Sequence, residues 1–226
     1  MDQLFDSIID KVRARFPLKA VPLAPELAEP KSFLKVLTAK HYNWHADKFR
    51  KLFGMRFTVK LPPLDQLNTI FYPEPVYDSP IFLFFCLVTR RKLIAHLNVY
   101  CPFNDEAYRA VHVDPLTDIL TRYPSFECPD RYPEWMQKYR QDCTIYGMFA
   151  RDRLDDLSHC AFDFLEHYLQ IVSDAVPVEN ASRLQTIERF HDRFIEDIRT
   201  QDKAQGMIAK MIGKEKARRI FYEITT

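Results

Sequence analysis

Residues 81–88 read Ile-Phe-Leu-Phe-Phe-Cys-Leu-Val, a run with no polar side chain at either alternate position. Successive side chains of a strand point to opposite faces, so a strand made from this run has to be covered on both sides. It is entered through Tyr72-Pro73-Glu74-Pro75-Val76-Tyr77-Asp78-Ser79-Pro80, a stiff polar corner that cannot continue a helix. Three further segments share the strand character: Arg-Phe-Thr-Val-Lys-Leu from Arg56, Gln-Leu-Asn-Thr-Ile-Phe-Tyr from Gln66 and Lys-Leu-Ile-Ala-His-Leu-Asn-Val-Tyr from Lys92. Pro62-Pro63, the polar corner and the basic turn Thr89-Arg90-Arg91-Lys92 separate them, which predicts an antiparallel meander. In the last segment Leu93, Ala95, Leu97 and Val99 form a core face. Ile94, His96, Asn98 and Tyr100 form the other, mixed enough to line a cavity.

Helical periodicity brackets this region. Leu4, Ile8, Ile9 and Val12 predict a helix over residues 2–15, then Pro17, Pro22, Pro25 and Pro30 an extended connection, with a short helix near Ser32–Leu37. Beyond Pro102 the pattern predicts a helix from Asn104 into the 110s, a Pro- and aromatic-rich region through Trp135, and a short apolar segment over residues 144–150. Two long helices follow, carrying the stripes Leu157, Ala161, Phe164, Leu165, Tyr168, Ile171 and Leu184, Ile187, Phe190, Phe194, Ile198. Two shorter helices split by Gly213 close the chain. Strands first and helices after, without βαβ alternation, predict an α+β fold: one domain over residues 1–226, a three-layer α/β/α sandwich around a central antiparallel sheet.

Composition removes several function classes. A net charge of +1 gives no bulk attraction to nucleic acid, and the absence of a signal-like or membrane-length apolar run predicts a cytoplasmic protein without a membrane partner. Only four glycines are present, with neither GxGxxG nor GxxxxGK[ST], so no glycine-rich loop is available for a nucleotide phosphate. The five cysteines are scattered without a CxxC, which argues against a disulfide framework or a zinc site. His41 and His45 have no visible third ligand, so no metal is expected.

Two stretches carry a family resemblance: Phe49–Phe82, with Asn68 ahead of the Phe71-Tyr72-Pro73 turn and Tyr77-Asp78-Ser79-Pro80 entering the apolar strand, and Phe190–Ile224, with the triplet Gln201-Asp202-Lys203 before an apolar helix and Gly213. Together they resemble the ferredoxin-dependent bilin reductases, most closely the phytochromobilin and phycoerythrobilin branches. The resemblance covers roughly residues 40–103 and 160–224. It implies an open-chain tetrapyrrole, biliverdin IXα or a dihydrobiliverdin, held between the sheet and the C-terminal helices by a monomer with no flavin or metal, and reduced by electrons from external reduced ferredoxin. Reduction at the A-ring vinyl system is expected. The family's central-strand Gly-aliphatic-Asp falls on Leu83, Phe84 and Phe85, so the strand acid is replaced by Phe85, with Cys86 next in register. The acid of the C-terminal triplet survives as Asp202, which is expected to donate protons, although the sequence after it also reads as a helix cap. Asn68, Phe85, His96, Asn98 and Lys203 are expected to contact the substrate. Arg90, Arg91, Lys92, Lys210, Lys214, Lys216, Arg218 and Arg219 could form a ferredoxin-docking face. The missing strand acid keeps two alternatives open: a bilin carrier or chaperone without reductase chemistry, and an enzyme similar to red chlorophyll catabolite reductase.

Overall fold

The computed structural model describes residues 1–30, 37–126 and 132–226. A seven-stranded antiparallel sheet runs in chain order: β1 (Lys19–Ala20), β2 (Leu37–Ala46), β3 (Phe49–Lys60), β4 (Pro63–Pro73), β5 (Ile81–Thr89), β6 (Lys92–Tyr100) and β7 (Ile145–Ala150). Helices α1 (Asp2–Arg15), α2 (Pro25–Ala28), α3 (Glu106–His112), α4 (Asp114–Thr121), α5 (Leu154–Asp174), α6 (Ala181–Gln201), α7 (Ala204–Ile212) and α8 (Lys214–Arg219) surround it, and a π-helical turn, Ile220–Thr225, ends the chain.

The doubly apolar strand is covered as its sequence requires. Phe82, Phe84 and Cys86 join Leu93, Ala95, Leu97 and Val99 of β6 in a core closed by Phe5, Ile8 and Val12 of α1 and by Leu157, Ala161, Phe164, Leu165 and Tyr168 of α5. Ile81 and Leu83 belong to a second core on the opposite face, closed by Phe194 and Ile198 of α6 and by Ile220, Phe221 and Ile224 of the π turn. Each of the two fully buried phenylalanines of β5, Phe82 and Phe84, contributes about 1.5–3 kcal/mol to the first layer.

The proline corner joins the sheet to the helices. The carboxylate of Asp78 accepts a hydrogen bond from Arg183 Nη2 at 2.8 Å, and the Arg183 guanidinium lies 3.9 Å from the centre of the Phe103 ring. Tyr108 of α3 donates its hydroxyl to the Asp78 carbonyl at 2.7 Å, and the Val178 amide donates to the Val76 carbonyl. The rigid segment before β5 therefore fixes where α6 begins, with Asn180 capping that helix through the Arg183 amide. On the other side of the sheet, Lys48 occupies a left-handed turn between β2 and β3 and its ammonium donates to the Ser173 and Ala175 carbonyls at the end of α5.

Gly213 separates α7 from α8 at φ 96°, a conformation that a side chain would strain. The Tyr72 hydroxyl donates to the Thr225 carbonyl at 3.0 Å and fastens the π turn to β4. One expectation needs correction and one is refined. The connection after α1 is not simply extended, since it contains β1 and α2, and residues 32–36 of the expected short helix lie outside the described residues while Leu37 opens β2. The apolar segment near 144–150 is β7, paired with β6.

The two faces of β5 differ in how they are filled, and substitution will read this out. Phe84 is wholly buried, and Phe84→Ala is expected to cost about 3–5 kcal/mol in chemical denaturation. Phe85 is half-buried beside a cavity, so Phe85→Ala is expected to cost only ~1 kcal/mol. Equal losses would mean that the second face is as tightly packed as the first.

Candidate active site

The second face of the sheet does not close completely on its helices. A cavity of about 920 Å³ lies between β3–β7 and the end of α6, the α6–α7 joint, α7 and the π turn. Its floor includes one row of residues paired directly across neighbouring strands: Met55, Asn68, Phe85, His96 and Tyr146. With strands about 4.8 Å apart, that row measures roughly 19 Å. A wall of Pro133, Glu134, Trp135 and Met136, from a 3-10 segment, closes the β7 side.

Five of the six residues expected at the site line this cavity, and one does not. Asn68, Phe85, His96, Asp202 and Lys203 are on its surface. Asn98 shares the His96 face but is walled off beneath it. Its amide nitrogen donates to the Tyr139 carbonyl at 3.1 Å and its oxygen accepts from Thr144 at 2.9 Å, so it braces the segment leading into β7. Cys86, the residue adjacent in register to Phe85, faces the opposite core, where burial pushes its thiol up to about 12. Phe85 is thus the side chain that β5 presents at this level of the floor.

Asn68 carries an unfilled valence. Its Oδ1 is buried and has no hydrogen-bond partner among the described residues, a costly state unless a ligand or water supplies a donor. His96 is nearly enclosed, and its Nε2 lies 3.0 Å from the Tyr132 hydroxyl and 3.3 Å from the Tyr100 hydroxyl. Removal from water pushes its pKa down to about 3, so the imidazole is neutral across the physiological range.

Asp202 sits where α6 ends and α7 begins. Its backbone amide donates to the Ile198 carbonyl, and its side-chain Oδ1 accepts the Ala204 amide at 2.8 Å. The carboxyl thus makes a capping-type hydrogen bond to the first turn of α7, as the sequence offers, and Asp202 also lines the cavity. Burial raises its pKa, with the Ala204 hydrogen bond opposing the shift. Lys203, beside it, is exposed at the cavity mouth. Among the basic residues, Arg219 is paired with Glu26 and Glu223, and Arg218 with Glu215, so this part of the suggested docking face is locally neutralised. No group of three or more His, Cys, Asp or Glu among the described residues is placed to hold a metal ion. Sequence reasoning passed over Trp135 and Met136, because their 3-10 segment has no periodic pattern to identify it.

Known proteins match this geometry and this sequence. Over 164 residues the chain is 26% identical to the 15,16-dihydrobiliverdin:ferredoxin oxidoreductase of Gloeobacter violaceus, covering 69% of this chain and 65% of the relative. It is 25% identical over 162 residues to the phycoerythrobilin:ferredoxin oxidoreductase of the same organism, covering 67% and 64%. The matches thus span slightly less than two thirds of these relatives' lengths. The crystal structure of phytochromobilin synthase from tomato in complex with biliverdin has the same fold, with a TM-score of 0.89 at 15% identity over 97% of this chain and 80% of that one. No helix among the described residues is long and apolar enough to cross a membrane. The family model described as ferredoxin-dependent bilin reductase matches residues 5–224, and the chain belongs to that family.

Proposed function

We propose that the protein reduces an open-chain tetrapyrrole, biliverdin or a dihydrobiliverdin, with electrons from reduced ferredoxin. The observation that carries this reading is a half-buried carboxylic acid, Asp202, lining a cavity of about 920 Å³ with largely apolar walls. That volume lies at the upper end for small-molecule sites, and the floor and roof suit a flat, conjugated, extended ligand. The unpartnered Asn68 Oδ1 suits a ligand rich in N–H donors, which the pyrrole rings of a bilin are. The names of the relatives, which act on dihydrobiliverdin and phycoerythrobilin with ferredoxin, support the same substrate class.

Reduction of one double bond takes up two electrons and two protons. Ferredoxin supplies the electrons singly, and the protein's task is to hold the bilin and deliver protons at one end of it. Asp202 serves as the donor because burial keeps its proton bound to a higher pH than an exposed carboxyl would. Asn68 and Phe85 position the rings on the sheet, and Lys203 meets a propionate at the mouth. With Asp202 the one acid at the α6–α7 joint, we assign the chemistry to the A-ring vinyl system. The unit acts as a monomer in the cytoplasm, with ferredoxin docking on its basic surface. Phe85 favours one other reading, a bilin carrier of the same fold, because a phenyl ring at the centre of the floor can donate no proton.

Biliverdin titrated into the purified protein is expected to bind one per chain at micromolar concentration, with a sharpened or red-shifted long-wavelength band. With ferredoxin, its reductase and NADPH under anaerobic conditions the band should then bleach to product. Absence of any spectral change on titration would refute the bilin reading, whereas binding without turnover would support the carrier. Phe85→Asp is expected to alter the product spectrum or speed turnover, at some cost in stability from burying a carboxyl.

Asp202→Asn keeps the size of the side chain and an oxygen for the Ala204 amide, and removes the acid. The variant is expected to fold and bind biliverdin but to accumulate unchanged substrate or a one-electron-reduced bilin. Stability gives a second check. An acid raised above its ordinary 3.8 on folding retains its proton where the unfolded chain has released it, so wild-type stability falls as pH rises from 3.8 through the folded pKa. Denaturation at a series of pH values should show that this fall is reduced in Asp202→Asn. Full turnover by the variant would make Asp202 a helix cap alone.

A further inference from the structure

The sheet floor carries a polar group that the mechanism above leaves unused. His96 is one strand away from Phe85 in the same row, and it presents two different environments through its two nitrogens. Nε2 faces inward to the hydroxyls of Tyr132 at 3.0 Å and Tyr100 at 3.3 Å. Nδ1 has no hydrogen-bond partner among the described residues and is not one of the buried unpartnered atoms, so its contact is with the cavity that His96 lines.

The two tyrosines favour one placement of the imidazole proton. Their hydroxyls also bond each other, and because a phenol donates better than it accepts, this short chain suits one hydroxyl donating to the Nε2 lone pair with the imidazole proton on Nδ1. The rings hold this arrangement: Tyr100, Tyr132 and Tyr146 all stand edge-on to the imidazole, with centroids 5.2–6.1 Å away. Tyr100 is itself clamped against Phe194 of α6 at 4.5 Å and Tyr139 at 5.8 Å. Little rotation is left to the imidazole.

We infer that His96 is a neutral, pre-oriented N–H donor, locked in its Nδ1–H form by Tyr100 and Tyr132, that binds a carbonyl oxygen of the bilin over the Phe85–Tyr146 part of the floor. The inference rests on the tetrapyrrole reading and adds a recognition element to it. A bilin ends in two lactam rings whose carbonyl oxygens must find donors once the ligand leaves water. Asn68 Oδ1 accepts from ring N–H groups, and His96 Nδ1–H answers the opposite need two strands away. Together they require a ligand carrying both donors and acceptors along one edge, and a purely hydrophobic ring system would leave both unmet.

Nitrogen-15 NMR on histidine-labelled protein tests this, with His96 assigned by loss of its signals in His96→Gln. The free protein is expected to show His96 with Nδ1 protonated and Nε2 bare, and the Nδ1–H resonance is expected to move when biliverdin is added. His96→Phe should weaken biliverdin binding roughly five- to tenfold and shift the bound absorption band, while Tyr123→Phe, whose hydroxyl bonds Asp163 in the opposite layer, should leave binding unchanged. An Nε2–H form in the free protein, or an Nδ1–H signal indifferent to bound biliverdin, would overturn the inference alone. Wild-type protein that fails to bind biliverdin overturns the functional reading and the proposed ligand with it, and the tautomer in the free protein separates that outcome from the others.

Discussion

Burial of β5 on both faces is the condition that the remainder of the chain satisfies. One face is met by α1 and α5, which lie on either side of the strands in the sequence and close over Phe82 and Phe84. The other is met by α6 and the π turn, which close over Ile81 and Leu83 but stop short of Phe85. The cavity is the part of the second face that the helices leave open. The start of α6, which supplies part of this second layer, is held by the Asp78–Arg183 ion pair at the proline corner. A surface ion pair of this kind usually adds little stability. Here it combines with the ring contact to Phe103 and the Tyr108 hydroxyl bond to Asp78, so its main effect is to fix geometry.

Much of this architecture was legible because periodicity is a strong physical signal. Strands β3 to β6, the two long helices and the break at Gly213 all follow from residue spacing, and so does the assignment of the His96 face to a cavity and the Leu93 face to core. Strand β2 was not anticipated. Its buried positions, Leu37, Ala39, His41 and Asn43, include two polar residues, so the segment lacks the apolar alternation that marks a strand. Its burial comes from pairing with β3 and cover by Phe5 and Leu27, which are partners outside the segment itself.

The candidate site was legible to a different degree. Asp202, Asn68 and Phe85 were reachable through a resemblance to known sequences, and their convergence on one cavity is a fact of the three-dimensional arrangement. Asn98 is kept from the cavity surface for a reason that strand parity cannot register: being on the correct face does not decide whether Tyr139 and Thr144 will cover the side chain. Trp135 and Met136 were invisible because 3-10 segments carry no long-range pattern. Sequence spacing identifies which face a residue occupies, and only packing decides whether anything stands over it.

Asp202 holds the start of α7 through the same carboxyl group that bears its acidity. A charged carboxylate accepts a backbone N–H more strongly than a neutral acid does. The latch at this joint is therefore weakest while the acid is loaded and tightest after its proton has left. Ala204 and Ile208 of α7 form part of the cavity roof, so the rigidity of that roof follows the charge on a single side chain. Ionisation of Asp202 therefore tightens the α6–α7 joint and protonation loosens it, so that pH acts on the roof of the cavity through one side chain.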